Sequence, residues 1–203
     1  MSAELDALVA RIRACRICRH APQGAPLPHE PRPVLIPSPS AKILIASQAP
    51  GTKVHLSGIP FTDASGDRLR DWLGVDRAAF YDRACFAVLP MAFCFPGYDA
   101  SGADLPPPAL CAATWRARAL AAMPAVRLTL LIGGYAQRWH LGGPARPVAD
   151  TVRDWRAAGP AVLPLPHPSW RTTGWRKRNP WFEAELVPEL RARVARLLAA
   201  VPA

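Results

Sequence analysis

Four short apolar segments stand out in the pattern of hydrophobic and polar positions along the chain. They cover residues 42–46, 85–89, 128–132 and 161–165. Each has a Pro or Gly nearby and almost no polar residue inside it, a pattern typical of strands that a parallel sheet buries on both faces. The chain is therefore predicted to contain four strands of this kind.

Between the strands, the apolar positions recur with the spacing of amphipathic helices. Predicted helices cover residues 3–13, 65–73, 110–122 and 181–200, with a weaker pattern over residues 148–156. Strands that alternate with helices indicate βαβ units, and hence an α/β fold with a parallel sheet. Residues 21–40 are dense in Pro and predict an extended connector, whereas residues 95–108 are too irregular for a helix or a strand.

The length of 203 residues is enough for one sizeable core. We expect a single domain over residues 1–203, with the first helix, a cysteine pair and the connector in residues 1–40 and the α/β core in residues 41–203. The formal net charge of +10 favours a polyanionic partner, although a genome-wide bias toward Arg, Ala and Pro gives the same composition. No apolar run approaches the ~20 residues that cross a bilayer, and the N-terminus is charged, so we expect a cytoplasmic protein without a membrane partner.

Two polar loops follow the first and the last predicted strand. Residues 47–51 have the sequence Ser-Gln-Ala-Pro-Gly, and residues 167–169 have the sequence His-Pro-Ser. Ligands of open α/β sheets bind at the carboxyl ends of the strands, where both of these loops are predicted to lie. The two loops are therefore predicted to form an active site.

Four motifs follow one another in the chain: Gln-Ala-Pro-Gly at 48–51, Gly-Ile-Pro-Phe-Thr-Asp at 58–63, Ser-Gly-Asp at 65–67 and His-Pro-Ser at 167–169. Each is weak alone, but their order and their positions after predicted strands make the combination specific. From Cys15 onward the chain resembles the uracil-DNA glycosylase superfamily, most closely its iron–sulfur branches, families 4 and 5. The resemblance implies a three-layer αβα sandwich with a central four-stranded parallel sheet.

The resemblance also assigns roles around an extruded base, because a glycosylase must flip the nucleotide and hold the base in a closed pocket. Phe61 is expected to stack on that base, although a Phe at this position also suits the core. His167 is expected to donate to a base carbonyl that becomes negative as the bond breaks. Further expected site residues are Gln48 as a catalytic residue and Ala49, Pro50, Gly51 and His55 in the pocket lining.

The chain departs from the best-known members of the superfamily at two positions. Ala49 occupies the place of a catalytic Asp, so we expect Asp63 to substitute for it, with Asp67 as an alternative. Both acids are also good caps for the helix predicted to start near residue 65. Pro90 occupies the place of an Asn that reads the uracil edge in family 4, and a Pro side chain offers no hydrogen-bond donor. We therefore expect a broader base range, as in family 5.

The cysteines follow the pattern of the iron–sulfur branches. Cys15 and Cys18 form a pair after the first helix, and Cys94 and Cys111 bracket the irregular segment. The resemblance implies that these four residues hold a structural [4Fe–4S] cluster. Zinc on four cysteines satisfies the same ligand count, and four unligated buried cysteines also satisfy the composition. Cys85 lies inside a predicted strand and is expected to be a core residue.

Basic and aromatic residues alternate directly after the histidine motif, as on surfaces that follow a phosphate backbone and stack on bases. In relatives this loop enters the duplex, which makes Trp170 or Arg171 the expected wedge. Trp175 and Trp181 are expected to pack the closing helix onto the sheet. The residues expected to contact DNA are Ser169, Trp170, Arg171, Arg176, Lys177 and Arg178.

Taken together, the resemblance implies a monomeric, monofunctional glycosylase that hydrolyses the N-glycosidic bond of uracil, or another deaminated base, in DNA. Two alternatives stay open at the level of sequence. One is a catalytically silent iron–sulfur protein that binds DNA, in which Ala49 and Pro90 reflect lost activity. The other is a zinc-stabilised hydrolase of free nucleosides or nucleotides, although neither the wedge loop nor the +10 charge is needed for a small substrate.

Overall fold

Four parallel strands form the central sheet of the protein, whose computed structural model describes residues 3–199. The strands are β1 (Ile43–Ala46), β2 (Phe86–Val88), β3 (Leu128–Ile132) and β4 (Val162–Leu165). They are arranged in the order β2-β1-β3-β4, with Ile43 in register with Phe86 on one side and Leu128 on the other. All four predicted strands are confirmed, and three of them begin one residue later than predicted.

Ten α-helices surround this sheet in residues 3–199. They are α1 (Ala3–Arg13), α2 (Ile17–His20), α3 (Thr52–Ser57), α4 (Ala64–Leu73), α5 (Arg77–Tyr81), α6 (Ala109–Ala121), α7 (Gly134–Leu141), α8 (Val148–Arg153), α9 (Thr173–Arg178) and α10 (Val187–Ala199). None of the helices described is long and apolar enough to span a membrane.

Both faces of the sheet are covered, because successive residues of a strand point to opposite sides. Ile43 and Ile45 pack in a core that includes side chains of α4 and α10, whereas Leu44 packs with side chains of α1 and α6. All three residues are buried. The protein is therefore an α/β three-layer sandwich with a central four-stranded parallel sheet, as predicted.

Two of the predicted helices need correction. The helix predicted at 148–156 ends at Arg153, and a separate 3₁₀ turn covers Trp155–Ala158. The helix predicted at 181–200 begins with a π-helical turn, Phe182–Leu186, because the next turn contains Pro188, which has no N–H to donate. Its last predicted residue, Ala200, lies outside the described residues, as do positions 1–2 and 200–203 of the predicted domain.

Five short helices were not predicted: α2, α3, α5, α7 and α9. They contain four to eight residues each, too few for an apolar face to repeat over several turns.

The Pro-rich connector covers the outer edge of β2. Ile36 exchanges two backbone hydrogen bonds with Val88, at 2.9 and 2.7 Å, and the Val34 N–H donates to the Phe93 carbonyl at 2.7 Å. An exposed edge strand presents unpaired backbone groups to other chains, and this contact removes some of them. The connector is thus fastened to the sheet beside the loop that follows β2.

Candidate active site

The two loops singled out by the sequence lie at the same end of the sheet. Residues 47–51 follow β1, and His167 follows β4 after a single proline. β3 lies between these two strands, so the strand ends stand roughly 10 Å apart. The predicted pairing of a glutamine loop with a histidine loop is therefore compatible with the topology.

The glutamine loop is held by the loop that follows β2. The Met91 N–H donates to the Ser47 carbonyl at 2.8 Å, and the Ala92 N–H donates to the Gln48 carbonyl at 3.1 Å. These bonds extend the β1–β2 ladder past the ends of both strands. The Gln48 side chain is half-buried and forms no hydrogen bond within residues 3–199, so its amide is available to a ligand.

The histidine loop is held by two residues from other elements. The Thr172 hydroxyl donates to the His167 carbonyl at 3.1 Å and to the Ser169 carbonyl at 2.8 Å. The Arg68 guanidinium of α4 donates to the Pro168 carbonyl at 3.2 Å. Arg68 thus links α4 to this loop.

The His167 ring is held neutral at pH 7. Its burial lowers its pKa below the ordinary histidine value, and the positive charge of Arg171 acts in the same direction. The carboxylates of Asp63 and Asp104 oppose this shift, which places both acids near the ring. A neutral imidazole carries one N–H and one acceptor nitrogen, so His167 can donate one hydrogen bond.

The structure distinguishes between the two acids predicted near α4. Asp63 is the N-cap, and its Oδ1 accepts a hydrogen bond from the Gly66 N–H at 3.1 Å. Asp67 lies in the first turn instead, where its carboxylate pairs with Arg70 at 2.6 Å. The capping interpretation is therefore confirmed for Asp63 and wrong for Asp67, and Asp63 is the one whose charge acts on His167.

Phe61 takes part in the core and has an unusual backbone conformation. Its side chain is 8% exposed and packs edge-on against Phe80. Its φ of 59° lies in the left-handed region, which non-glycine residues rarely adopt. Its carbonyl accepts hydrogen bonds from Arg70 at 3.1 Å and from the Tyr81 hydroxyl at 3.2 Å. Backbone strain of this kind is often found at functional sites.

With the two loops, the neutral histidine and its neighbouring carboxylates in place, the comparison with known families becomes informative. A family model described as the uracil DNA glycosylase superfamily matches residues 34–191. The chain belongs to this superfamily. Membership supports a DNA glycosylase type of hydrolase that acts on DNA. The matched span includes both loops of the site, Cys94 and Cys111, but begins after Cys15 and Cys18.

In this superfamily member, Pro90 lies two residues after the end of β2. Pro90 is buried, and its carbonyl and that of Leu89 accept hydrogen bonds from the buried Arg116 at 3.0 and 3.1 Å. Arg116 also contacts the His140 ring at 2.6 Å, and burial followed by the charge of Arg116 lowers the pKa of His140 to about 3. No role was predicted for His140, because no other candidate residues surround it in the sequence.

The four cysteines predicted as ligands line one cavity. Cys15 and Cys18 approach it from the N-terminal helices, Cys94 from the loop after β2, and Cys111 from the first turn of α6. The other residues that line this cavity are apolar. Among residues 3–199, no three His, Cys, Asp or Glu side chains form a group that could hold a single metal ion.

Two of these thiols, those of Cys94 and Cys111, lie close together and are partly buried. Burial raises the pKa of both Cys94 and Cys111 to about 12, and the neighbouring thiols act in the same direction. The Phe93 N–H donates to the Cys111 sulfur at 3.4 Å. Cys85 lies apart from this group: it is buried at the start of β2 and donates to the Asp82 carboxylate at 3.3 Å, in agreement with the predicted core position.

The basic loop of this superfamily member presents one aromatic side chain to solvent. Trp170 is 75% exposed, and Arg171, Lys177 and Arg178 are exposed on the same segment. Arg176 differs, because its guanidinium pairs with Glu183 at 2.6 Å and is only 19% exposed. We therefore leave Arg176 out of the surface available to DNA.

The two other tryptophans of this segment pack inward. Trp175 and Trp181 contact each other and the buried Phe182, as predicted.

His55 lies on α3 and turns toward the connector. Its ring is 4.2 Å from the ring of His29 and 6.0 Å from that of Phe95, measured between centroids. Burial lowers its pKa, and the charges of His29 and Arg32 act in the same direction. The sequence assigned no role to His29, yet its Nε2 lies 3.0 Å from the Phe95 carbonyl and so joins the connector to this part of the site.

Proposed function

We propose that the protein is a monofunctional glycosylase that hydrolyses the N-glycosidic bond of uracil, or another deaminated base, in DNA. The observation that carries the proposal is that the loops of His167 and Gln48 meet at one end of the sheet, with Asp63 close enough to act on the pKa of His167. In the reaction a water oxygen bonds to C1′ while the C1′–N bond breaks. The bonding electrons leave with the base, and one proton of the water is released.

His167 provides the main stabilisation of the departing base in this proposal. Negative charge spreads onto a base carbonyl oxygen as the bond breaks, and the N–H of a neutral imidazole can donate to that oxygen. One preorganised donor of this kind contributes ~2.7–4 kcal/mol to the transition state. The hydrogen bonds from Thr172 and Arg68 support the proposal, because they fix the backbone that carries the ring.

Asp63 compensates for the missing acid at Ala49. Its charge acts on His167, while its other role as a helix cap holds it in place through the Gly66 N–H. A negative charge there stabilises the cation-like sugar that forms as the bond breaks. Gln48, whose side chain forms no hydrogen bond within residues 3–199, is proposed to bind the base edge.

The pocket is proposed to accept more than one base. Phe61 stacks on the base, and Pro90 provides a wall without a polar group that would reject a different edge pattern. A panel of oligonucleotides containing uracil, hypoxanthine, xanthine or ethenocytosine tests this proposal through alkali-labile sites. Excision of uracil and at least one other base supports the proposal. Excision of uracil alone contradicts the proposed broad range of bases.

The basic loop is proposed to hold DNA through Ser169, Arg171, Lys177 and Arg178, with Trp170 as the wedge that fills the space of the flipped base. Replacing Trp170 by alanine should slow excision from duplex DNA about tenfold or more, because one stacked aromatic is worth ~1–3 kcal/mol. In single-stranded DNA the wedge has no flipped base to replace in a duplex stack, so the base should be excised at nearly the normal rate. Single-turnover excision on matched single and double strands measures both.

Trp170→Phe serves as the control for this prediction, since it keeps an aromatic side chain and should retain most of the duplex activity. Equal losses on single and double strands would show that Trp170 does not act as a wedge.

A [4Fe–4S] cluster is proposed for the cavity between the four cysteines, as in the iron–sulfur branches. The fit is supported by the four thiols that line one otherwise apolar cavity, because a [4Fe–4S] cluster takes four thiolate ligands. When bound, the cluster would cross-link the N-terminal helices to the loop after β2. Hydrolysis itself is assigned to the chain's own residues.

Purified protein is expected to be brown and to contain iron and acid-labile sulfide. Cys94→Ser should lose the iron–sulfur absorbance and should lower thermal stability, because a buried ligand is removed. Cys85→Ser is the matched control, since Cys85 lies outside the cavity, and it should keep the absorbance. A colourless protein with one zinc ion per chain would overturn the cluster proposal.

A further inference from the structure

A small hairpin lies within the segment that the sequence left irregular. Tyr98 and Asp104 form an antiparallel bridge, flanked by hydrogen bonds from the Asp99 N–H to the Ala103 carbonyl and from the Leu105 N–H to the Gly97 carbonyl, both at 2.9 Å. In this bonding pattern Tyr98 and Asp104 are a non-hydrogen-bonded pair, so their side chains lie close together on one face of the hairpin.

That face is directed toward the glutamine loop. The Tyr98 hydroxyl hydrogen-bonds to the hydroxyl of Thr52, the residue directly after Gly51. Asp104, on the same face, is also close enough to His167 to oppose the lowering of its pKa. Asp104 therefore shares a hairpin face with a residue that contacts Thr52, and its charge acts on His167.

The Asp104 carboxylate is free to bind water. Asp104 is exposed, and within residues 3–199 its side chain takes part in no hydrogen bond or ion pair. Asp63 is less available, because its Oδ1 already accepts from the Gly66 N–H. Of the two acids near His167, Asp104 is thus the one with both carboxylate oxygens free of hydrogen bonds to residues 3–199.

We propose that Asp104 is a catalytic residue that accepts a hydrogen bond from the attacking water and takes its proton. This inference rests on the proposed glycosylase function. As the water oxygen bonds to C1′, one water proton passes to the Asp104 carboxylate, and the C1′–N electron pair leaves with the base. Asp63 keeps its charge next to His167 throughout.

The position of Asp104 should weaken DNA binding, and this effect makes the proposal testable. A carboxylate beside a surface that binds phosphates repels DNA, so removal of its charge should tighten DNA binding or leave it unchanged. If Asp104 accepts the proton of the attacking water, loss of its carboxylate should at the same time slow the chemical step. A residue that only repels DNA would show the first effect without the second.

The test is Asp104→Asn, assayed for single-turnover excision of uracil and for affinity toward undamaged DNA. We expect excision to slow by roughly 100-fold, the lower range for a general base, with equal or tighter DNA binding and an unchanged melting temperature. Asp6→Asn is the matched control, since it removes the same charge from the exposed first turn of α1, and it should excise at the normal rate.

Normal excision by Asp104→Asn, alongside an active wild-type protein, would overturn the role of Asp104 alone. A loss of rate that is matched by a loss of folding would overturn it as well, because the residue would then be structural. A wild-type protein that releases no base from any oligonucleotide would overturn the proposed function, and this inference with it.

Discussion

Replacing His167 by alanine is expected to slow base excision by about 100- to 1000-fold, the effect of removing one preorganised donor from a developing oxyanion. The ring is neutral and half-buried, and its backbone is fixed by Thr172 and Arg68, so the donor needs no rearrangement when the base arrives. Its loss leaves the base carbonyl without a partner at the moment when charge develops. Single-turnover excision of uracil measures this loss.

The control for this prediction is His20→Ala. His20 is exposed at the end of α2, remote from both loops in the chain, and its removal should leave the rate unchanged. DNA binding by the His167→Ala protein should be nearly normal, because the proposed contacts of the basic loop with the DNA phosphates are unchanged. An unchanged excision rate would remove His167 from the catalytic residues.

Replacing Gly66 by alanine is expected to lower the free energy of unfolding by about 3 kcal/mol or more. A Cβ at this position would stand 1.8 Å from the Phe61 carbonyl oxygen. That carbonyl cannot retreat easily, since it accepts hydrogen bonds from Arg70 and Tyr81, and the Arg70 side chain is 8% exposed. A shift of the backbone would leave these buried donors without their acceptor. Equilibrium unfolding in denaturant measures the change, provided that the slope of the unfolding free energy against denaturant concentration is the same for both proteins.

Gly174→Ala is the matched control, because Gly174 also lies in the first turn of a short helix. Its added Cβ would meet nothing closer than the Arg178 guanidinium at 3.6 Å. A helical Gly→Ala change without a clash should stabilise the protein by about 0.5–1 kcal/mol. Equal stability of the two variants would contradict the close contact between Gly66 and Phe61.

The strands and the two site loops could be predicted because their signals are local. An apolar run such as 128–132 is too short and too continuous for an amphipathic helix, and a polar motif directly after such a run is placed at the end of a strand. The short helices could not be predicted in this way. α3 and α9 depend on contacts with the connector and with Glu183, which lie elsewhere in the chain.

The remaining site residues were hidden for a different reason. The choice between Asp63 and Asp67 depends on the residue at which α4 begins, and a shift of one residue changes which carboxylate is the cap. Asp104 lies in a segment without periodicity, and only the pairing of the hairpin places it beside Tyr98, which contacts Thr52. The buried Arg116 guanidinium forms a hydrogen bond with the His140 ring, and no spacing in the sequence indicates this pairing.

The most direct test of the account is to measure free base and abasic sites together. Duplex and single-stranded oligonucleotides with one uracil are incubated with wild-type protein, and the products are quantified by mass spectrometry and by alkaline cleavage. The account predicts one free uracil for each abasic site formed, with little of either from the His167→Ala protein. Intact DNA, or strand cleavage without free uracil, would contradict it.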